Sequence, residues 1–474
     1  MNYLFILLGF DSFYEAMVML KMIDQLPPGC NVLVYASELA SSYLAGDERV
    51  FLMPITTDIS ENKKIFDQTI KEGELTSIFV FDYHKTLFTK DYNHNYVIIP
   101  FNPEWLDDLD IPVCLVDVYD MFNFNENNNL YLISSNQFNA EDEPIDAERA
   151  EYDEVYTRAL LGDNPHNLEK EEIQFEKNEY TKPEMIVKTG IYPYIIKLCP
   201  TYEAPKEKTD ERFIYWNYSV TDFDTAEAEK MKASLGVMPD RKNILLNFSY
   251  QFILKSNLTN LNSHFERVFK SLVIYLKKMD IKVNLYIIGM ESNVNQSPLL
   301  RGSKINVKAF RDPNYNLYKT IMSFADIVIS DTTWHPCLID AACLKIPTAV
   351  IGNSMKILND GSCQASFSAT DFDVFAELEK AIQEAPQTLF PYSSFPLKES
   401  EAPYFGYYED KYIYYLLDIY SDESVIGFFH EFLVDDDEVY RNLVDRCVEY
   451  KKRGENGLKT EQLIFFFEGY ELDS

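Results

Sequence analysis

Thr332, Thr333 and His335 stand together between the apolar run Ile327-Val328-Ile329 and a stretch that opens at Pro336. The run predicts a strand ending at Ser330, followed by a short polar loop and a helix with proline at its first position. Thr332 or Thr333 is placed to cap that helix. The free amides of a helix start attract an anion, and the helix dipole adds to the attraction. His335 would add a proton donor beside them. Asp340, about one turn further in, would offer a carboxylate to sugar hydroxyls. Trp334 reads as a packing residue.

Other polar residues also follow apolar runs. Gly9-Phe10-Asp11-Ser12 follows Tyr3 to Leu8. Asp11 can cap the helix that comes next, or act as a general base on a hydroxyl if its pKa is raised toward working pH. Glu15 is the second candidate for that base. Ser249 and Gln251 follow the run Asn243 to Phe248, and Phe310 and Arg311 follow Ile305 to Ala309. Asp82 and His84 follow Thr76 to Phe81. Two acidic groups read otherwise. Asp107 to Asp110 precedes a strand start and reads as loop, and Asp435-Asp436-Asp437 reads as a solvated cap. The seven Cys contain no C-x-x-C pair, so no metal site is expected.

The elements that must position these residues alternate. Tyr3–Leu8, Asn31–Ala36, Val50–Pro54, Thr76–Phe81, Val97–Pro100 and Val113–Val116 read as short strands, with helices at 12–26 and 65–72 between them. The pattern restarts after a Pro-containing stretch, 193–205, and a charged one, 206–212. Strands are then expected at 243–248, 282–289, 305–309, 326–330 and 348–351, with helices at 263–279, 315–324 and 336–343. Residues 404–474 read as helical. Strand–helix–strand alternation implies a parallel sheet covered on both faces. Two doubly wound halves are therefore expected, with ligands at the carboxyl ends of their strands. The Asn-rich segment 123–129 and the acidic segment 139–154 read as surface loops.

Composition bounds the function. The chain has 474 residues, 46% of them hydrophobic, which suffices for sizeable cores. Its net charge of −33 repels phosphate backbones at long range, so nucleic-acid binding is not expected. No uninterrupted apolar run reaches about 18 residues, so no membrane span is expected. The first residues lack a basic n-region, and the scattered cysteines suit reduced thiols, so a cytoplasmic location is expected. The Asn-, Lys- and Tyr-rich, Gly-poor composition suggests a bacterial source.

Ala325 to Ser330, Thr332-Thr333, Asp340-Ala341-Ala342 and Ile346-Pro347-Thr348-Ala349-Val350 match, in order, the nucleotide-sugar domain of GT-B-type glycosyltransferases. The chain resembles a divergent member of that superfamily. Asp340 stands where those enzymes usually carry the acidic residue that holds the ribose. Thr-Thr-Trp-His-Pro stands where they carry a Gly-rich loop. By the resemblance, Phe310 would meet the base, Ser249 and Gln251 would lie near the donor phosphates, and Asp11 takes the place of a catalytic His. The implied fold is α/β: two Rossmann-like doubly wound domains facing a cleft, with a helical C-terminal tail. The expected domains are 1–205 on the acceptor side, 206–400 for the nucleotide sugar, and 401–474 packing on both. The implied activity is a metal-independent transfer of a sugar from a nucleotide-sugar donor to an acceptor the sequence does not identify. The nucleotide sugar is a co-substrate, and no other cofactor is implied. Two further readings stay open. One is a non-catalytic accessory or binding protein for another transferase, and the other is a nucleotide-sugar epimerase.

Overall fold

The computed structural model describes residues 1–9, 13–37, 40–41, 44, 48–53, 55–56, 58–81, 83, 100–107, 109–118, 122–124, 130–132, 186–187, 194–199, 212–218, 225–248, 262–289, 300–310, 315–331, 336–352, 356–357, 363–364, 413–419, 421–433, 438–460 and 462–463. The chain forms two compact units. The first is Met1–Tyr218 with Arg453–Ser474, and the second is Ser219–Lys452. The strand expected at 97–100 and the loops at 123–129 and 139–154 lie wholly or largely outside the described residues.

The first unit is built on a seven-stranded sheet. Its strands are β1 (Asn2–Leu7), β2 (Asn31–Tyr35), β3 (Val50–Leu52), β4 (Leu75–Phe81) and β5 (Val113–Asp117), then β9 (Tyr194–Cys199) and β10 (Phe213–Asn217). Between β5 and β9, β6 (Phe122–Phe124), β7 (Leu130–Leu132) and β8 (Ile186–Val187) make a small antiparallel sheet. In the large sheet the order is β10-β9-β5-β4-β1-β2-β3, and every neighbour is parallel. The central strands are buried on both faces, as their unbroken apolar runs require. Phe5 stacks on Phe79 across β1 and β4, with ring centroids 4.9 Å apart.

Helix α1 (Phe13–Asp24) and α2 (Ile59–Glu72) cover this sheet. The second starts six residues before its apolar spacing suggests. Asp58 caps it there, its carboxylate accepting from the amides of Ser60 at 2.7 Å and Glu61 at 3.4 Å. The Pro-containing stretch 193–205 holds β9. Proline is tolerated at the margins of a strand, and the six residues after Pro193, five of them apolar, pair normally. On the far side of β10 the C-terminal segment adds a bridge. Leu458 donates to the Tyr215 carbonyl at 2.7 Å and accepts from the Asn217 amide at 2.8 Å. Gly457 suits this docking, since a Cβ there would lie 3.0 Å from the Asn217 nitrogen.

The second unit repeats the plan with a six-stranded sheet. Its strands are β11 (Lys242–Asn247), β12 (Val283–Ile288), β13 (Ile305–Phe310), β14 (Ile327–Ser330) and β15 (Thr348–Gly352), with β18 (Tyr415–Asp418) at the edge. A separate hairpin pairs β16 (Lys356–Ile357) with β17 (Cys363–Gln364). The order is β13-β12-β11-β14-β15-β18, parallel throughout. The helices are α3 (Thr225–Ser234), α4 (Asn262–Lys278), α5 (Tyr315–Ser323), α6 (Pro336–Cys343), α7 (Asp422–Leu433) and α8 (Glu438–Arg453). The C-terminal stretch is helical over α7 and α8. It also supplies β18, because Tyr415 to Asp418 finds an open edge beside β15. The two doubly wound, parallel, Rossmann-like sheets are those expected. No described helix is long and apolar enough to cross a membrane.

Two buried cations fix the carboxyl-end side of the first unit. Lys197 on β9 lies 2.7 Å from the Asp117 carboxylate on β5, with both side chains almost wholly buried. The same ammonium donates to the Phe122 carbonyl at 2.7 Å, and Asp117 accepts from the Phe122 amide at 3.0 Å. Lys21 on α1 donates to the Tyr218 carbonyl at 3.0 Å and sits 3.7 Å from the centre of the Tyr218 ring. Lys197→Met leaves the Asp117 charge buried without its counter-ion. We expect a loss of about 3–5 kcal/mol in urea unfolding of the first unit, largely recovered in Lys197→Met/Asp117→Leu.

Candidate functional site

Numbering only the strands of each large sheet, the second unit runs 3-2-1-4-5-6 and the first 3-2-1-4-5-6-7. Chain direction across the sheet therefore reverses between β11 and β14, and between β1 and β4. At such a point the covering helices diverge to opposite faces and leave a crevice over the strand ends. In the second unit that crevice is chemically furnished. Asn247 ends β11 and Ser330 ends β14, and the two are register partners. Asn247 is 1% exposed, and Ser330 and Asp331 are fully buried. Helix α6, buried along its whole length, begins five residues after Asp331 with Pro336.

Cys337, the second residue of α6, is buried against this group and hydrogen-bonds with Asn247 and Ser330. Burial first of all pushes its thiol far above the ordinary range. The carboxylates of Asp340 and Asp331 push it further, and the two hydrogen bonds oppose them. Asp340 is 3% exposed, and its Oδ2 accepts from the Tyr318 hydroxyl of α5 at 2.9 Å. A polar cluster of this kind holds its place because each buried group has a partner. Asn247, Ser330, Asp331, Cys337 and Tyr318 were not singled out from the sequence. A polar residue closing an otherwise apolar strand was the available signal for Asn247 and Ser330. Tyr318 gave none, since an aromatic residue in an apolar helix reads as core.

Of the expected site residues, three are described. Asp340 lies in the cluster just given. Phe310 is the half-buried last residue of β13, and its carbonyl accepts from the Gly289 amide at 2.8 Å. Glu15 is 2% exposed in the first turn of α1, at the β1/β4 reversal of the other unit. A carboxylate there is favoured by the helix dipole. Asp11, Ser249, Gln251, Arg311, Thr332, Thr333 and His335 lie outside the described residues, as do Asp82 and His84. Among the described residues no group of three His, Cys, Asp or Glu could hold a metal ion.

Two parallel doubly wound sheets, each with a chain reversal at its middle, define the chain as an α/β protein of Rossmann-like architecture. The chain belongs to the family of unknown function DUF6365, whose model matches residues 41–453. A search of curated proteins returned no match. Among solved structures, the chain is similar to the spinosyn forosaminyltransferase SpnP, at 9% identity and TM-score 0.47, covering 99% of this chain and 98% of that one. It is similar to the S. aureus MnaA–UDP co-structure at 11% identity and TM-score 0.42, covering 99% and 97%. It is also similar to the UDP-GlcNAc 2-epimerase from Neisseria meningitidis bound to UDP-GlcNAc, at 11% identity and TM-score 0.38, covering 96% and 98%.

Raised thiol and phenol pKa values make stability alkali-sensitive. Burial holds Cys114 and Cys337 well above the ordinary thiol value of 9.0, Cys447 at about 12, and Tyr35 and Tyr286 at about 12. A group whose pKa is raised by folding stabilises fully below its unfolded pKa. That stabilisation is lost as pH climbs toward the folded value. The urea midpoint should therefore stay level from pH 7 to about 9 and then fall steadily toward pH 11, as thiols and then phenols ionise in the unfolded chain. Iodoacetamide at pH 8 should leave Cys337 unlabelled in the native protein and label it in urea, read by mass spectrometry.

Proposed function

We propose that the chain is a metal-independent glycosyltransferase of the GT-B type, with a nucleotide-sugar donor held by the second unit and the acceptor by the first. One observation supports this above the others. The strand–loop–helix segment that resembles a nucleotide-sugar site coincides with the chain reversal of a parallel sheet, where ligands of such sheets bind. In this reading Asp340 receives ribose hydroxyls and Phe310 meets the base. Ser249, Gln251 and Arg311 line the phosphates. The amides at the start of α6, with Thr332, Thr333 and His335, stabilise the departing diphosphate as charge develops on it. Asp11 takes the proton from the acceptor hydroxyl, with Glu15 behind it in α1.

A second reading rests on a specific feature of the sequence. No His stands in Gly9-Phe10-Asp11-Ser12, so the same fold serves equally as a nucleotide-sugar-binding accessory to another transferase. A thermal-shift series with UDP, TDP, GDP, CDP and their common sugar conjugates, without and then with Mg²⁺, tests both. A ligand at ~100 times its Kd adds about 2.7 kcal/mol. We expect one nucleotide to raise Tm without metal, and Asp11→Asn to abolish sugar transfer while leaving that shift intact. A nucleotide shift with no donor turnover, unchanged by Asp11→Asn, selects the accessory reading. Sugar conversion with no acceptor present selects an epimerase. No shift with any nucleotide rejects the donor site itself.

A further inference from the structure

The two edges of the first unit's large sheet differ. Along β10 the chain's own C-terminal segment adds a parallel bridge, with Leu458 facing Trp216. β3 is the other edge. It bonds β2 through alternate residues. The Arg49 carbonyl accepts from the Val32 amide at 2.9 Å, and the Met53 amide donates to the Val34 carbonyl at 2.8 Å. By that alternation the amides and carbonyls of Val50 and Leu52 point away from β2, and no hydrogen bond joins them to another described residue on that side. The side chains here are apolar and open to water. Phe51 is 51% exposed, Leu52 43%, and Ile59, which opens α2, 49%. Five large apolar side chains are exposed among the described residues, and three of them fall within these nine positions. Natural edges are commonly guarded by a charge that repels a further strand. From Val50 to Thr57 there is none. On a chain of net charge −33, such a stretch lets a like-charged molecule approach at the least Coulombic cost.

We propose that β3 is an interface at which two copies of this chain pair, antiparallel and edge to edge, about a two-fold axis. The pattern of the edge is self-complementary. With Val50 opposite Leu52 of the second copy, each exchanges its outward amide and carbonyl with the other. Phe51 then lies on the axis, opposite Phe51 of the second copy, in the close pairing of an antiparallel ladder. The apolar side chains leave water, and the uncharged run brings no carboxylate into the contact. Pro54 follows Met53 and cannot donate to a ladder, so the added pairing is short and the dimer reversible. With β10 covered by the chain itself and β3 by the second copy, neither edge of the sheet is left for a third, so the assembly closes at two.

Sedimentation equilibrium of the full chain, from about 1 to 100 µM, reads the assembly directly. Twice the chain mass is expected at the upper end, returning to one chain on dilution. Raising salt from ~0.05 to ~0.5 M should tighten the dimer, because screening relieves the repulsion between two chains of −33 while the paired edge carries no charge. Phe51→Lys and Leu52→Lys each place a charge on the edge and should raise the dimer Kd about tenfold or more. Both side chains are exposed, so the Tm of the dilute monomer should hold. Phe51→Cys should give a disulfide-linked dimer under mild oxidation by copper–phenanthroline, reversed by reductant. Wild type, whose described cysteines are all buried, should not. A single chain mass at every concentration and salt overturns the proposal. So does a dimer that salt weakens, that neither lysine variant loosens or that Phe51→Cys fails to link, since its contact lies elsewhere. Mass growing beyond two chains overturns the two-fold closure. If one lysine variant does not fold, the other and the cross-link carry the test.

Discussion

A parallel sheet that grows outward from its middle must part its covering helices at one place. In this chain the place lies between β11 and β14 in one unit and between β1 and β4 in the other. The strands are apolar because both their faces are covered, so polarity is confined to their ends. In the second unit this confinement brings Asn247, Ser330 and Asp331 to one edge, each buried. Buried polar groups must find partners locally, and the first turn and a half of α6 provides Cys337 and Asp340. The helix start and the polar strand ends are thus two consequences of the same topology.

The first unit meets the same constraint with charge. Asp117, the last residue of β5, and Lys197, within β9, are register partners, and neither reaches water freely. Their attraction offsets the desolvation of both only because the Phe122 amide and carbonyl complete the set. The pair therefore fixes where the chain turns after β5. Lys21 does the corresponding work on α1, tying it to the last residue of the long N-terminal segment of this unit. Below it, the Trp216 indole donates to Thr460 at 2.8 Å and Thr460 donates to Gln25, so the C-terminal segment, β10 and α1 form one connected body.

Much of this was legible in the sequence, for a physical reason. Strands of a covered parallel sheet are short unbroken apolar runs, and Leu4 to Leu7, Ile78 to Phe81 and Ile327 to Ile329 stand out as such. Helix α6 was read residue for residue, because Pro336 marks its start and the next strand follows quickly. The early start of α2 was hidden because the cap, Asp58, precedes a polar first turn with no apolar stripe. Strands β9 and β10 were hidden by the prolines and charges around them. Strand β18 was hidden within a helical stretch, since the open edge it fills is a tertiary fact. At the candidate site, Asp340 stood out by its place in the strand–loop–helix segment, and Phe310 only by the resemblance. The partner of Asp340 could not be read, because which side chain meets it depends on how α5 crosses α6.

Placing a buried carboxylate near a proposed diphosphate site asks which part of the ligand it can tolerate. Asp340 and Asp331 both repel a neighbouring anion, and the chain's net charge of −33 does nothing to relieve them. In the proposed site, phosphate would therefore keep to the helix start. At about 1.5 Å rise per residue, Pro336 and Asp340 are separated by ~6 Å along α6. Of the parts of a phosphorylated sugar, the neutral hydroxyl donors can approach Asp340 without meeting that repulsion. The carboxylate then works in two ways. In the proposed site it would attract the hydroxylated part of a ligand and drive the charged part toward the amides at the start of α6. In the proposed site, the polarity of α6, donors at its start and a carboxylate one turn in, would set the direction in which a phosphorylated sugar lies.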